Sequence, residues 1–193
     1  MIRCIAIMFC LAACAGGPKA GSREAAPPLG FDALRAQVIA QGQTFAAALP
    51  ASGTAVYHGK AQLDLPLDLT TPQPYQGDLT VNVTFGGAAD PLTGTITGLQ
   101  GPAGNLAGQL TISDGTLVAD ARTARDYQFD ARLAGTLVQG AQSNDVTARI
   151  AGDFYGTSGT AMAGVIYSGV LRQGNENDIF DGAFVAQQQD SGG

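Results

Sequence analysis

The chain has 193 residues and a formal net charge of −6, and only 13% of its residues are charged. Without Arg3, which lies in the leader described below, nine basic and sixteen acidic groups remain, a net charge of −7. This balance argues against nucleic acid as a partner and against electrostatic attraction to anionic lipid. With 27 glycines and no tryptophan, the composition favours a twisted, curved β-sheet over a helical bundle.

Residues 1–13 are predicted to be a signal peptide. Arg3 precedes a short apolar run, Ile5 to Ala13, well below the roughly 20 residues that span a bilayer. The run leads into Leu11-Ala12-Ala13-Cys14, which resembles a bacterial lipobox, so Cys14 is predicted to carry the lipid anchor. The alternative is a secreted protein whose N-terminal cysteine stays unmodified. Because the other two cysteines leave with the leader, the mature domain has no thiol for a disulfide or a metal.

A flexible tether and one helix are predicted to precede the main domain. Residues 14–30 are rich in Gly, Ser and Pro, as expected of a tether. Ala15, and not aspartate, follows the cysteine, and by resemblance to enteric lipoproteins this implies export to the outer membrane. Residues 31–50 are predicted to form a helix that caps one end of the domain, with a partner-binding helix as the alternative. The apolar positions that indicate this helix are Phe31, Leu34, Val38, Phe45 and Leu49, followed by Pro50.

Residues 52–186 alternate as β-strands do, and residues 187–193 are predicted to be a polar tail. From Gly77 to Phe85, apolar Leu79, Val81, Val83 and Phe85 alternate with polar residues. Further strands are predicted at 54–65, 92–99, 106–112, 116–122, 127–137, 146–154, 163–171 and 179–186. Ser113-Asp114-Gly115 between two of these runs predicts a tight hairpin.

These strands predict an all-β fold, an antiparallel up-and-down β-barrel of about eight strands, because closure removes exposed edges. One apolar face per strand predicts a packed interior. Inward glycines would let the strands coil tightly; they are Gly94, Gly98, Gly108, Gly135 and Gly152. An open sandwich is the alternative.

The closing part of the chain is similar to a known family. Phe154-Tyr155-Gly156, followed after seven residues by Gly164-Val165, with Gly152 just before, resembles the end of the transferrin-binding protein B-like β-barrel, which surface lipoproteins such as factor H-binding protein share. The segments 53–59 and 180–184 resemble that family's first and last strands. Thr157 stands where the family often has proline, and the chain has no room for the handle domain of the large members. The resemblance therefore implies the scaffold and a surface-lipoprotein role, and not transferrin binding itself.

The remaining candidate sites have ordinary explanations. His58, the only histidine, could ligate haem, but a solvent-facing strand residue explains it. Tyr155 could anchor an interface or pack on the barrel. The carboxylates that could do acid–base work or bind calcium lie in turns and on polar faces; they are Asp114, Asp120, Asp126, Asp130, Asp178, Asp181 and the segment 175–178. We therefore expect no enzyme activity, catalytic residue, metal or cofactor.

The sequence thus predicts a binding protein held by lipid at the bacterial outer membrane, facing either the periplasm or the cell surface. Its partner would be a protein or a small ligand, with a nutrient or iron-related ligand as one option, recognised at loop tips or at an open barrel mouth. The alternative is a structural lipoprotein that docks to another envelope component and has no soluble ligand.

Overall fold

The computed structural model describes residues 30–118 and 127–189. Eight of its nine strands are long, and β4 is a two-residue bridge to β3. The elements in chain order are α1 (Phe31–Ala40), a 3-10 helix (Ala46–Ala48), β1 (Gly53–Leu65), β2 (Gln73–Phe85), β3 (Leu92–Gly101), β4 (Gly104–Asn105), β5 (Ala107–Leu117), β6 (Phe129–Gln139), β7 (Gln142–Tyr155), a second 3-10 helix (Thr157–Gly159), β8 (Ala161–Gln173) and β9 (Glu176–Gln188).

The eight long strands form one closed antiparallel barrel, which confirms the predicted fold. Each long strand pairs with the next one along the chain, and β1 also pairs with β9. This last seam runs from Tyr57 opposite Gln188 to Leu63 opposite Gly182. Because the first and last strands are joined, the barrel has no free edge, and the open sandwich is excluded.

Alternate side chains of the long strands fill the interior. On β2 the predicted inward residues Leu79, Val81, Val83 and Phe85 are all buried, and Asn82 between them is exposed. The largest side chains in the interior are aromatic: Tyr57, Tyr75, Phe129, Phe154 and Phe184. The barrel is therefore a packed core, as predicted.

The predicted helix is shorter than expected and lies elsewhere. It begins at Phe31 but ends at Ala40, and Gly42 follows with φ of +80°, a left-handed conformation that suits glycine and ends helices. Phe31 and Val38 pack on Val185 and neighbouring residues of the outer barrel wall. The helix thus covers the side of the barrel, and the segment after it covers the end.

The predicted hairpin at Asp114-Gly115 is wrong. β5 runs without a turn from Ala107 to Leu117, and its pairing with β6 shifts between Ser113 and Thr116, so the two residues form a β-bulge. Asp114 has φ of +53°. Its backbone N–H and that of Gly115 donate to the Asp90 carboxylate at 3.2 and 2.7 Å.

The opposite end of the barrel is covered by the β1–β2 loop, residues 66–72. Leu67 and Leu69 of this loop pack against the core, and the Gln173 side chain donates to the Leu67 carbonyl at 3.3 Å. The Asp68 carboxylate accepts the backbone N–H groups of Thr71 and Thr70, and these bonds hold its pKa below its usual value.

The predicted polar tail, 187–193, is wrong for its first two residues, and residues 190–193 lie outside the described ranges. β9 continues through Gln187 and Gln188, and Gln187 pairs with both His58 and Ala161. These two glutamines therefore belong to the closing seam, and their polar character did not reveal it.

Candidate functional site

Each residue of the Phe154-Tyr155-Gly156 motif takes a different position. Phe154 is fully buried, and its ring lies 5.2 Å from Phe129 and 6.0 Å from Tyr57, at distances typical of favourable aromatic contacts. Tyr155 faces outward and packs against the α1 side of the barrel wall, which supports the barrel-packing alternative. Burial raises the pKa of Tyr155, and the nearby Asp153 carboxylate adds to the effect. Gly156 turns the chain with φ of +78°.

Residues 42–50, here called the capping strap, cross this end of the barrel and are tied to the motif. The Thr44 N–H donates to the Phe154 carbonyl at 2.8 Å, and the Gly156 N–H donates to Gly42 at 2.9 Å. The Thr44 hydroxyl donates to the Gly156 carbonyl at 2.5 Å. The strap therefore continues the β-ladder for one residue pair, Gln43 with Tyr155.

The side chain of Gln128 joins the capping strap to the motif, a role that the sequence did not reveal. In the predicted strand 127–137, Gln128 stands between Tyr127 and Phe129, so strand alternation predicts that it faces away from the interior, yet it is 3% exposed. Its amide donates to the Thr44 carbonyl at 2.6 Å and accepts the Phe154 N–H at 2.8 Å. Its own N–H donates to Asp153 at 3.1 Å. Because it comes just before β6 begins, strand periodicity does not apply to it.

Tyr57 ties β1 to the turn that follows the motif. Its hydroxyl donates to the Gly159 carbonyl at 2.6 Å in a buried site. Desolvation by burial raises the pKa of Tyr57 to about 12, because the phenolate would lie in an apolar interior. A Cβ at Gly159 would lie 2.7 Å from Leu49 of the strap, so strap and turn touch closely.

The other two motif glycines make room for one aromatic ring. Gly152 on β7 pairs with Gly164 on β8, and a Cβ at either would lie within 3 Å of the Phe184 ring, at 2.9 and 2.7 Å. Any larger residue here would displace this ring from the interior. The short glycine-rich motif thus encodes the packing of the closing strands.

A recess of about 420 Å³ opens beside the capping strap. Its walls are mainly apolar, with Leu49 and Pro50 from the strap, Phe85 from β2 and Val118 after β5. The other lining residues are Ala46, Gly86, Gly87, Ala88, Ala89, Pro91, Gly115, Thr116, Leu117 and Gln128. Among the described residues, no charged side chain lines it.

Three exposed apolar residues line the recess or lie next to one of its lining residues along the chain. Phe45 is 83% exposed, and Val118 and Tyr127 are 43% and 38% exposed. We call these three residues, with the recess, the capped-end surface. Exposed aromatic and aliphatic side chains beside an apolar recess are typical of interaction sites, so this end of the barrel is the candidate binding site.

Residues 49–188 match the family described as the C-lobe and N-lobe beta barrels of Tf-binding protein B. The chain belongs to this family. The match covers the whole barrel from Leu49 of the strap to the end of β9, so the predicted resemblance is confirmed. A search of curated proteins found no match.

Within this family barrel, the other candidate residues lie apart. His58 is exposed on the outer wall, where Nδ1 lies 3.2 Å from the Thr80 hydroxyl. Asp130 accepts a bond of 2.5 Å from the Tyr167 hydroxyl and pairs with Arg149. Asp178 accepts the N–H of Ile179 at 2.7 Å, at the end of the barrel opposite Asp114, and Asp181 is exposed on β9.

Three predicted positions, Cys14, Asp120 and Asp126, fall outside the described residues. In the ranges 30–118 and 127–189 no group of three or more His, Cys, Asp or Glu side chains could hold a metal ion. The helices of these two ranges include none with the length and apolar content needed to cross a bilayer.

Proposed function

We propose that the chain is a lipid-anchored binding protein of the bacterial outer membrane. Its barrel recognises a protein or a small ligand on its outer surfaces. The family match carries this proposal, because the matched barrels come from a protein described by what it binds. A binding role fits a site with an apolar recess whose lining, among residues 30–118 and 127–189, contains no acid–base pair. Transferrin is not proposed as the ligand.

The packed interior supports recognition by outer surfaces. Aromatic and aliphatic side chains fill the barrel, the capping strap covers one end, and Leu67 and Leu69 close the other. A ligand would have to displace these buried side chains to enter, at a cost of several kcal/mol. We therefore place recognition on the loops and the strap.

Lipid anchoring rests on Leu11-Ala12-Ala13-Cys14, and one substitution tests it. We expect Cys14→Ser to release the protein from the membrane fraction, because the variant has no thiol at the predicted lipid-attachment position. It would therefore lack the acyl chains that stable anchoring needs. Cys10→Ser is the matched control, since Cys10 lies in the predicted signal peptide and should leave anchoring unchanged. If the Cys14→Ser protein stays in the membrane fraction, the anchor is assigned wrongly.

Protease treatment of intact cells tests whether the barrel faces the cell surface or the periplasm. It should degrade a surface-facing barrel and spare a periplasmic one. Affinity purification with the full chain carrying Cys14→Ser should recover a specific protein or ligand. Recovery of neither, from a correctly folded chain, would favour a structural envelope lipoprotein over the binding role.

A further inference from the structure

Phe45 is exposed at a rigid position of the capping strap. Its side chain is 83% exposed, yet the residue before it is fixed by the Thr44 bonds to Phe154 and Gly156. The Phe45 carbonyl accepts the Ala48 N–H at 2.8 Å. A large aromatic side chain on a fixed backbone loses little entropy on binding, which favours a contact residue.

The recess lies directly after Phe45 along the strap. Ala46 and Leu49 line it, and Val118 forms part of its opposite side. At about 420 Å³, it is within the range of pockets that accept small groups. Since its lining is mainly apolar, it suits an aliphatic or aromatic side chain.

The charges at the capped end of the barrel indicate which residues should flank an apolar side chain that a partner places in the recess. Asp90 and Asp114 lie in the loop and the bulge at the recess, and both are exposed. A basic partner is attracted to such a rim, whereas a second copy of this chain, with a net charge of −6, is repelled.

We propose that the capped-end surface binds a protein segment that inserts an apolar side chain into the recess and carries lysine or arginine on either side. Phe45 packs against this segment beside the recess. This inference rests on the proposed binding function and names the chemistry of its protein partner.

A random peptide library displayed on phage tests the proposal on the full chain carrying Cys14→Ser. The Phe45→Ser form of the same chain serves for counter-selection. We expect the enriched peptides to share an aromatic or large aliphatic residue flanked by Lys or Arg. For the most enriched peptide, Phe45→Ser should weaken binding by about tenfold or more, and added salt should weaken it further.

Ile179→Ser is the matched control, because Ile179 is 76% exposed at the opposite end of the barrel. It should leave peptide affinity within about twofold. Both residues lie outside the core, so unchanged thermal melting of the two variants shows that folding is intact.

Three results would overturn the proposal: no peptide enriched over the Phe45→Ser form, enriched peptides without basic flanks, or equal losses in both variants. Sedimentation that shows a dimer lost in Phe45→Ser would identify a second copy as the occupant and would also overturn it. Membrane fractionation of the Cys14→Ser protein is a separate measurement. A negative peptide selection would therefore leave the proposed lipid anchoring untouched.

Discussion

Three adjacent residues, Phe154, Tyr155 and Gly156, connect the core, the outer wall and the capping strap. Phe154 contributes its ring to the aromatic interior, and Tyr155 faces the α1 side of the barrel wall. The Gly156 carbonyl accepts a hydrogen bond from the Thr44 hydroxyl. Strand alternation predicts the opposite directions of the first two side chains. The bond to Thr44 joins residues 112 positions apart, so local pattern could not predict it.

Gly156→Val should destabilise the protein by about 3 kcal/mol. The backbone has φ of +78°, and a Cβ would lie 2.6 Å from the Gln41 side-chain oxygen and 2.7 Å from the Thr160 hydroxyl. Chemical denaturation measures the loss.

Gly140→Val is the control for backbone strain alone. Gly140 also has a positive φ, +59°, but a Cβ there would meet nothing within 4 Å. We expect a loss of about 1–2 kcal/mol. Equal losses for the two variants would contradict the close packing assigned to Gly156.

Stability should fall as pH rises from about 10 to 12. Tyr57 has a raised pKa of about 12 in the folded state against 10.0 for the ordinary group. Above pH 10 the unfolded chain releases this proton while the folded chain keeps it, so the free energy of unfolding decreases. Tyr57→Phe should flatten this part of the pH profile, at the cost of the hydrogen bond to Gly159, about 1 kcal/mol at neutral pH. An unchanged alkaline profile in denaturant titrations would show that Tyr57 is not the group responsible.

The two residues that most define the candidate site were missed or misplaced by sequence reasoning. The apolar spacing predicts that Phe45 belongs to the helix 31–50, but the helix ends at Ala40 and Phe45 is exposed. Strand alternation predicts that Gln128 faces outward, but it is buried. Both positions depend on where an element ends, and periodicity determines such ends poorly.

At the scale of elements, the strands were predictable because one face of each is buried. The alternation from Leu79 to Phe85 has the same phase in the structure, since a shift by one residue would expose the whole apolar face. The bulge at Asp114-Gly115 was not predictable from its own residues. Asp-Gly suits a two-residue turn, but here the Asp90 carboxylate, 24 positions away from Asp114, satisfies the bulged N–H groups.

Asp90→Ala should loosen this bulge and lower the free energy of unfolding by about 1 kcal/mol, because two backbone N–H groups lose a charged acceptor. Chemical denaturation measures the change. Asp181→Ala, at an exposed position of β9, should have no measurable effect. A loss no larger for Asp90→Ala than for Asp181→Ala would mean that the carboxylate does not hold the bulge.

The strap shows why the helix prediction failed in part. Gly42 already weakened the predicted helix, and in the structure its left-handed conformation ends it. Residues 43–44 then extend the ladder of β7 through Phe154, so tertiary hydrogen bonds replace helical ones. A pattern of apolar residues that continues past such a glycine does not show which structure they join.

At the scale of the whole molecule, closure of the barrel determines where recognition can occur. The β1–β9 seam removes the sheet edges, and the packed interior leaves only walls, loops and the strap for a partner. The number of strands, their alternation and their short connections predicted this closure. The capped-end surface required the structure, because its residues come from the strap, from β2 and from the end of β5.

Hydroxyl-radical footprinting tests this account most directly, by comparing intact cells that express the unaltered chain with the purified full chain carrying Cys14→Ser. We predict that Phe45 is modified readily in the purified chain and is protected in cells, because a partner covers the capped end. Ile179 should react equally in both samples, and buried Phe129 and Phe184 in neither. Equal modification of Phe45 in cells and in the purified chain, or modification of Phe129 and Phe184 in the folded protein, would contradict recognition at one end of a packed, closed barrel.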